Sequence, residues 1–273
     1  MNRISGRCRC LRIFRFRRKE EQMTVFTCED TFEAMMTCIY DAWAARLGHG
    51  NVRLQTEPVL QQELFCEYIY IEGDAQKAEK VVRSVRRKIS ELAYRRIYLA
   101  AMSFEDDRLD AIYRFLVLGF AFGADVLERM SEPAVMRIWE LSRKAGNEAN
   151  FFREFTRFTS LDGKIYAAHI EPKCNITAIT AEHFADRMPS ENWLLIDDKR
   201  RIAAVHPKDQ PFYMTKLSEE EMQRLSATEA QKDEYTELWK EFFRTIGIAA
   251  RKNPRCQQNL MPLWYRKHVT EFM

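Results

Sequence analysis

The sequence predicts an α+β protein with a mostly helical body, a small antiparallel β-containing unit and a C-terminal helical region. Apolar residues recur at three- and four-residue spacing over most of the body, about residues 23–160, which is typical of amphipathic helices. Short alternating or β-branched runs follow between about residues 161 and 217, where turn residues separate them. Helical spacing then returns over about residues 218–273.

The body is expected to begin with a strand and a helix. Residues 24–27 are β-branched or aromatic, which favours a strand. Asp30 with Glu33 three residues later has the pattern of a capping box, which predicts a helix start. Residues 64–72 predict a second strand. Further helices are predicted from Asp74, Ser90, residue 105 and Ser131–Pro133, the last of them broken at Gly146.

The β-containing unit is predicted from alternation and turn residues. Residues 192–196 and 201–205 flank the polar stretch Asp197–Arg200, which indicates a hairpin. Further elements are predicted as a strand over 164–171, a short helix over 180–187 and a strand over 212–217. Ser226 and Glu229 form another capping-box pattern, which predicts the start of a long helix in the C-terminal region.

Charge is distributed unevenly along the chain. The net charge is +3, but residues 1–22 hold eight Arg or Lys and two Glu, so the remainder has 35 basic and 38 acidic residues. Global charge therefore does not indicate nucleic-acid binding, and any such binding must use local patches. The first 22 residues suit a basic arm, a transit-like peptide or translated sequence upstream of a start at Met23. The third interpretation is favoured, and we expect this arm to be disordered or untranslated.

Several enzyme classes are disfavoured because their motifs are absent. The sequence has no GxxxxGK[ST], GxGxxG, HExxH or GxSxG motif, and no three-cysteine motif of radical S-adenosylmethionine enzymes. The seven cysteines include no CxxC pair, which disfavours structural zinc and a disulfide framework. The sequence thus predicts no metal site and no cofactor. No apolar run approaches the ~20 residues of a membrane span, and we expect a cytoplasmic protein with reduced thiols.

Candidate acid–base residues lie in the β-containing unit. His183 and Asp186 are three residues apart on a predicted helix and so share a face. The predicted hairpin turn adds Asp197 and Asp198, and the neighbouring strands add His169 and His206. An Asp that orients a His is a common general-base arrangement. The alternative is structural, because Asp is frequent in turns for backbone reasons and helical His/Asp pairs often lie at the surface.

Three basic features are candidates for contact with phosphates. They lie on the predicted helix after Asp74, in the Phe-rich segment 147–158, and near the C-terminus where aromatic residues adjoin basic ones. The candidate nucleic-acid-binding residues are Lys80, Arg83, Arg87, Arg153, Arg157, Arg255, Trp264, Arg266 and Lys267. Aromatic rings can stack on unpaired bases while cations hold phosphates. The alternatives are a solvated outer helix face and a C-terminal segment that docks Trp264 into the core.

Five stretches carry a resemblance to a known family: residues 25–54, 110–123, 146–158, 183–207 and 253–272. Together they resemble proteins labelled as acting in DNA metabolism or repair, whose domain is otherwise described as one of unknown function. The resemblance covers nearly all of residues 23–273. It implies a partner, a radical S-adenosylmethionine protein of DNA modification or repair encoded nearby. Some relatives are fused to a uracil-DNA glycosylase-like domain, and the family supplies no established catalytic residues.

Three functions are consistent with these observations. The first is an accessory protein of DNA repair or modification that acts with the radical enzyme, either by binding DNA directly or as an adaptor. The second is a nucleic-acid-acting enzyme, hydrolase or glycosylase-like, that uses the His183 and Asp186 region. The third is a purely structural protein-interaction module. Binding to single- and double-stranded DNA separates the first from the third, and activity on lesion-bearing DNA tests the second.

Overall fold

The structure is a computed structural model that describes residues 23–59, 61–161, 163–229, 234–246, 248–251 and 253–272. Residues 1–22 lie outside the described residues. The expectation that this arm is disordered or untranslated therefore concerns residues that the structure does not describe. The strands are β1 (Met23–Cys28), β2 (Val52–Thr56), β3 (Cys66–Ile71), β4 (Thr159–Leu161), β5 (Ile165–Ile170), β6 (Trp193–Asp197), β7 (Ile202–His206) and β8 (Tyr213–Lys216). The helices are α1 (Phe32–Ala44), α2 (Ala75–Lys88), α3 (Glu91–Ala101), α4 (Arg108–Phe122), α5 (Pro133–Phe155), α6 (Thr177–Arg187), α7 (Glu219–Glu229), α8 (Glu234–Ile246) and α9 (Pro254–Leu260). The predicted α+β class is confirmed.

The first sheet is parallel and has the order β2-β1-β3. Its central strand β1 is almost entirely buried, and Phe26 pairs in register with Leu54 of β2 and Ile69 of β3. The strand β2 was not predicted from the sequence. Only Val52 and Leu54 of β2 are buried, so its alternation is too short to indicate a strand without the neighbour that completes its hydrogen bonds.

The second sheet has the order β4-β5-β6-β7-β8. Three of its strand pairs are antiparallel, as the sequence predicts, and the hairpin of β6 and β7 is confirmed. The pair β5–β6 is parallel because α6 carries the chain back between the two strands. The carboxyl ends of β5 and β6 therefore lie at the same edge of the sheet.

One hydrophobic core joins the helical body to the second sheet. It extends from Phe26 in β1 through Phe152 in α5 and Trp193 in β6 to Val269 near the C-terminus. The helix α5 packs against α3, α4 and α6 and so links the two parts. The other face of the second sheet forms a smaller cluster that α7 covers.

The expected break of α5 at Gly146 is wrong, because the helix continues through this residue. A glycine inside a helix costs about 1 kcal/mol relative to alanine. The neighbouring residues Ala145, Ala149 and Phe152 are buried in the core, and their burial outweighs that cost.

Helix starts were predicted with mixed success. The Asp74 and Ser90 side chains cap α2 and α3 as expected. Thr31, rather than Asp30, caps α1, while Asp30 pairs with Arg108 at 2.6 Å. The expected helix start at Ser226 is also wrong, because Ser226 lies inside α7. The reciprocal bonds of a capping box instead join Ser218 and Glu221 at the start of that helix. Of the helices described, none has the length and apolar character needed to cross a bilayer.

Candidate functional site

An aromatic groove lies between α1, α2 and α4. Its cavity has a volume of about 430 Å³, and Tyr40, Trp43 and Phe120 form aromatic walls. The helix α1 buries Met35, Met36 and Ile39 in the core, which leaves Tyr40 and Trp43 half-exposed beside α2. The rings of Trp43 and Phe120 meet edge to face, with centroids 5.4 Å apart. Hereafter "the aromatic groove" means this cavity and the one that adjoins it at Trp43.

The second cavity, of about 400 Å³, also has Trp43 in its wall, together with Arg46, His49 and Tyr113. The His49 Nδ1 atom and the Tyr113 hydroxyl are 2.8 Å apart, within hydrogen-bond distance. Burial raises the pKa of Tyr113, so its hydroxyl stays protonated at neutral pH. Trp43 therefore presents its ring between two spaces, each large enough for a small planar ligand.

Two lysines from α2 line the first cavity. The Lys80 ammonium lies 5.8 Å from the centroid of the Tyr40 ring, and the Lys88 ammonium lies 5.9 Å from that of Phe120. Within the described part of the chain, neither lysine pairs with a carboxylate. By contrast, Arg83 on the same helix is paired with Glu79, and Arg87 is exposed. Of the three predicted phosphate contacts on α2, the structure places Lys80 in the groove.

A carboxylate–imidazole cluster (His169, Glu171, Asp198 and His268) lies at the edge of the second sheet. Glu171 directly follows β5 and Asp198 directly follows β6, so the parallel pairing of these strands brings the two carboxylates together. The His169 Nδ1 atom is 2.6 Å from Asp198 Oδ1. The His268 Nε2 atom is 3.3 Å from Glu171 Oε1 and 3.7 Å from Asp198 Oδ2.

Hydrogen bonds of the neighbouring residue Asp197 fix the turn that carries Asp198. The Asp197 side chain is fully buried and accepts hydrogen bonds from the Thr177 hydroxyl at 3.0 Å and from the Arg200 backbone N–H at 3.1 Å. The Arg200 guanidinium adds an ion pair at 3.0 Å and also donates to the carbonyl of Pro172. These bonds tie the turn after β6 to the chain after β5, which holds Asp198 in position.

Glu171 is a charged member of this cluster. Burial raises the pKa of Glu171, but the hydrogen bonds from Lys267 and His268 outweigh burial and hold that pKa below its ordinary value. Lys267 and His268 belong to a short 3-10 helix, Leu263–His268. The C-terminal segment thus contributes an ammonium and an imidazole to an edge that the second sheet builds.

The described cysteines are free thiols, and three of the five are buried. Burial and a hydrogen bond to Glu148 raise the pKa of Cys174 to about 12, so this thiol is not ionised at neutral pH. Glu148 itself is buried and accepts the backbone N–H groups of Lys173 and Cys174 at 2.8 and 2.7 Å. A structural role accounts for these groups.

The predicted acid–base pair His183 and Asp186 lies on α6. Asp186 is exposed, and His183 is half-exposed with its ring 5.3 Å from that of Phe184. Among the hydrogen bonds of the described residues, none joins this pair. The helix leads from the carboxyl end of β5, where Glu171 lies, back to the amino end of β6, and the pair lies in its second half. Their catalytic role stays a prediction.

The remaining predicted nucleic-acid contacts lie on α5, just after it and in the C-terminal region. Arg153 donates to the carbonyl of Ile179 at 3.0 Å, and Arg157 pairs with Glu271 at 2.7 Å. Arg266 donates to the carbonyl of Met261 at 3.1 Å, and Lys267 pairs with Glu171. Arg255 is exposed, and Trp264 is half-exposed with its ring stacked on Tyr265. Most of these cations already have partners within the chain.

Sequence reasoning did not single out Trp43, Glu171 or His268 as individual site residues. Tyr40 and Trp43 continue the apolar stripe of α1, a pattern that is typical of core residues. Their position at the edge of that stripe, in the last turns of the helix, was the available signal. Glu171 and His268 are 97 residues apart, and no motif spacing relates them.

One comparison with known proteins identifies a family. The model of a family described as a domain of unknown function, DUF4130, matches residues 106–271. This match spans more than half of the chain, and the chain belongs to that family. It includes the carboxylate–imidazole cluster, as well as Tyr113 and Phe120 of the groove, whereas α1 and α2 precede it. No curated protein and no solved structure matches the chain.

Proposed function

We propose that this member of the DUF4130 family is an accessory protein of DNA repair or modification that binds unpaired DNA bases in the aromatic groove. The observation that carries this function is the position of Trp43, whose half-exposed ring lines two cavities. The cations beside this ring pair with no carboxylate among the described residues. The resemblance of the sequence to DNA metabolism proteins supports DNA as the ligand. The same resemblance supports a radical S-adenosylmethionine protein as the partner.

The size and lining of the groove suit a nucleobase. Small-molecule sites commonly have volumes of about 300–1,000 Å³ and are mostly apolar with a few polar groups, and both cavities fall in this range. A base stacked on an aromatic side chain contributes about 1–3 kcal/mol. Bases in a duplex are already stacked on one another, so single-stranded or distorted DNA should bind more tightly.

The lysines of the groove suit the phosphates that accompany such bases. Lys80 and Lys88 are eight residues apart on α2, which places their side chains about 80° apart around the helix axis. Each phosphate neutralised releases counterions, so binding should weaken as salt rises. The body of the chain is nearly neutral, and these local cations would therefore carry the electrostatic part of the affinity.

Fluorescence anisotropy with labelled single-stranded and duplex oligonucleotides tests this function. Trp43→Ala should lower single-strand affinity by about 1–3 kcal/mol and abolish the preference over duplex. Changing Lys80→Gln and Lys88→Gln together should reduce the salt slope by about 1.4, because a single strand contributes about 0.7 per phosphate. The matched control is Arg83→Gln, which removes a cation that lies on the same helix and is already paired with Glu79.

Direct DNA contact is overturned if wild-type protein, shown to be folded by its melting curve, does not bind DNA at low salt. Equal losses for Arg83→Gln and for the lysine variant would also contradict a role for the groove. The partner is tested separately, by co-purification with the radical S-adenosylmethionine protein encoded nearby. A structural interaction module would bind that partner without binding DNA.

A second candidate function is an enzyme that acts on nucleic acid. The observation that favours it is the hydrogen-bonded pair of His169 and Asp198, which is the arrangement of a general base and the group that orients it. Activity on lesion-bearing DNA that is lost in His169→Ala but kept in His183→Ala would support this function at the cluster. The reverse result would assign it to the His183 and Asp186 region.

A further inference from the structure

We infer that Glu171, Asp198 and His268 form a binding site for one divalent transition-metal cation of the Zn²⁺, Mn²⁺ or Fe²⁺ class. Each residue offers one ligand atom, and these three atoms all lie within 4.8 Å of one another. They come from three separate segments of the chain: the end of β5, the end of β6 and the 3-10 helix near the C-terminus. This site is independent of DNA binding in the aromatic groove.

The spacing of the ligand atoms suits a small cation. A tetrahedral ion with ligands about 2.1 Å away separates neighbouring ligand atoms by about 3.4 Å. The His268 Nε2 atom lies 3.3 Å from Glu171 Oε1 and 3.7 Å from Asp198 Oδ2. Both separations are close to that value, and the ligand atoms of the two carboxylates lie within 4.8 Å of each other.

Neighbouring groups orient the ligands. His169 Nδ1 contacts one oxygen of Asp198 at 2.6 Å, while the other oxygen faces His268. The His169 side chain is only 8% exposed, so its ring is held by packing. Hydrogen bonds of this kind fix the orientation of ligating side chains and commonly change metal affinity 10- to 100-fold. The buried bonds of Asp197 hold the turn that carries Asp198.

The donor set points to a class of cation. Mg²⁺ and Ca²⁺ prefer oxygen ligands alone. An imidazole nitrogen with two carboxylates is instead typical of sites for first-row transition metals. Three protein ligands leave at least one coordination position for water or a substrate, as in catalytic zinc sites. The ligand taken by this site is therefore a metal cation that can hold a further ligand.

A positive charge already occupies part of this site. The Lys267 ammonium contacts Glu171 Oε1, the same oxygen that lies 3.3 Å from His268 Nε2. The Lys267 side chain is 62% exposed and can turn into solvent, so it acts as a competitor of the metal rather than as a ligand. Removing Lys267 should strengthen metal binding, whereas removing any of the three ligands should weaken it.

Isothermal titration of the chelator-treated full chain with Zn²⁺ and with Mn²⁺ tests the site. We expect one ion per chain, affinity at least tenfold weaker for Glu171→Gln and for His268→Ala, and tighter affinity for Lys267→Met. The matched control is His183→Ala with Asp186→Asn, which removes an imidazole and a carboxylate from α6 in the same unit. Thermal melting of each variant shows whether it is folded.

A second measurement uses only the wild-type chain. Paramagnetic Mn²⁺ should broaden the proton resonances of the His268 and His169 rings more strongly than those of His183. The inference is overturned if no ion binds with 1:1 stoichiometry, or if all variants bind as the wild type does. Broadening of His183 alone, or weaker binding by the control variant alone, also overturns it by moving the metal to α6.

Discussion

The aromatic groove and the C-terminal seam are built from the same residue types but place them in opposite roles. The seam is the region where residues 261–272 contact the end of α5 and the edge of the second sheet. In the groove, Trp43 is 37% exposed, and Lys80 pairs with no carboxylate among the described residues. In the seam, Tyr265 is only 9% exposed, and Arg157 is paired with Glu271. Aromatic rings beside cations therefore indicate a ligand site only where the rings are exposed and the cations are not already paired with a carboxylate of the chain.

The physical difference is desolvation. The Glu271 side chain is almost completely buried and receives bonds from Arg157 and from the indole nitrogen of Trp239 at 3.1 Å. A buried carboxylate without such partners is strongly destabilising, so Arg157 must stay where it is. No comparable demand acts on the exposed ammonium of Lys80. The cations of the groove can exchange water for phosphate at little cost to the fold.

The largest effect is expected in the seam, for Tyr265→Ala. The Tyr265 ring packs on those of Phe151 and Phe152, with centroids 5.0 and 5.2 Å away. Its loss should lower the free energy of unfolding by about 3–5 kcal/mol, as measured by urea denaturation. Trp264→Ala is the control, because this ring is half-exposed and should cost less. A larger loss for Trp264→Ala would show that Trp264, rather than Tyr265, anchors the segment.

The next effect is expected for Arg157→Ala, which leaves Glu271 buried without its ion pair. We expect a loss of about 2–4 kcal/mol in unfolding free energy, because breaking a buried pair is costly but Arg157 is partly exposed to water. Arg83→Ala breaks an exposed pair and should change stability by less than about 1 kcal/mol. Similar losses for the two variants would contradict the contrast between seam and groove.

A third effect concerns DNA affinity and distinguishes the two regions directly. From the sequence alone, Arg266→Ala with Lys267→Ala is expected to flatten the salt dependence of DNA binding. The structure shows both side chains bonded within the chain, to Met261 and Glu171. We therefore expect that double variant to keep the wild-type salt slope. A flatter slope for it, measured by anisotropy at two salt concentrations, would assign DNA contact to the seam.

The smallest change in stability is a pH dependence in the seam. Burial raises the pKa of Glu271, but bonds from Arg157 and Trp239 outweigh burial and hold that pKa below its ordinary value. A lowered pKa stabilises the folded state above the unfolded pKa of about 4.3, and this contribution is lost as pH falls through the folded pKa. Glu271→Gln should therefore melt at a lower temperature than wild type at pH 7, with the gap narrowing below about pH 4. A constant gap across this range would contradict the linkage.

Several local features of the fold were predicted correctly from the sequence. The caps of α2 and α3, Asp74 and Ser90, depend on bonds within three residues, and the hairpin of β6 and β7 depends on a short turn. Two failures needed distant neighbours, whereas the helix starts expected at Asp30 and Ser226 were local errors. The strand β2 exists because β1 pairs with it, and α5 continues past Gly146 because its flanking residues pack into the core.

The candidate sites show the same division. Sequence alone determined that acidic and imidazole groups occur near the hairpin of the second sheet and that cations lie along α2, because each pattern occupies a short stretch. Only the tertiary structure decided that Asp198 is bonded to His169 and lies beside Glu171 and His268, and that Trp43 faces a cavity instead of the core. The reason is physical: burial and side-chain contact depend on which segments pack together. Local spacing cannot determine contacts between residues nearly 100 positions apart.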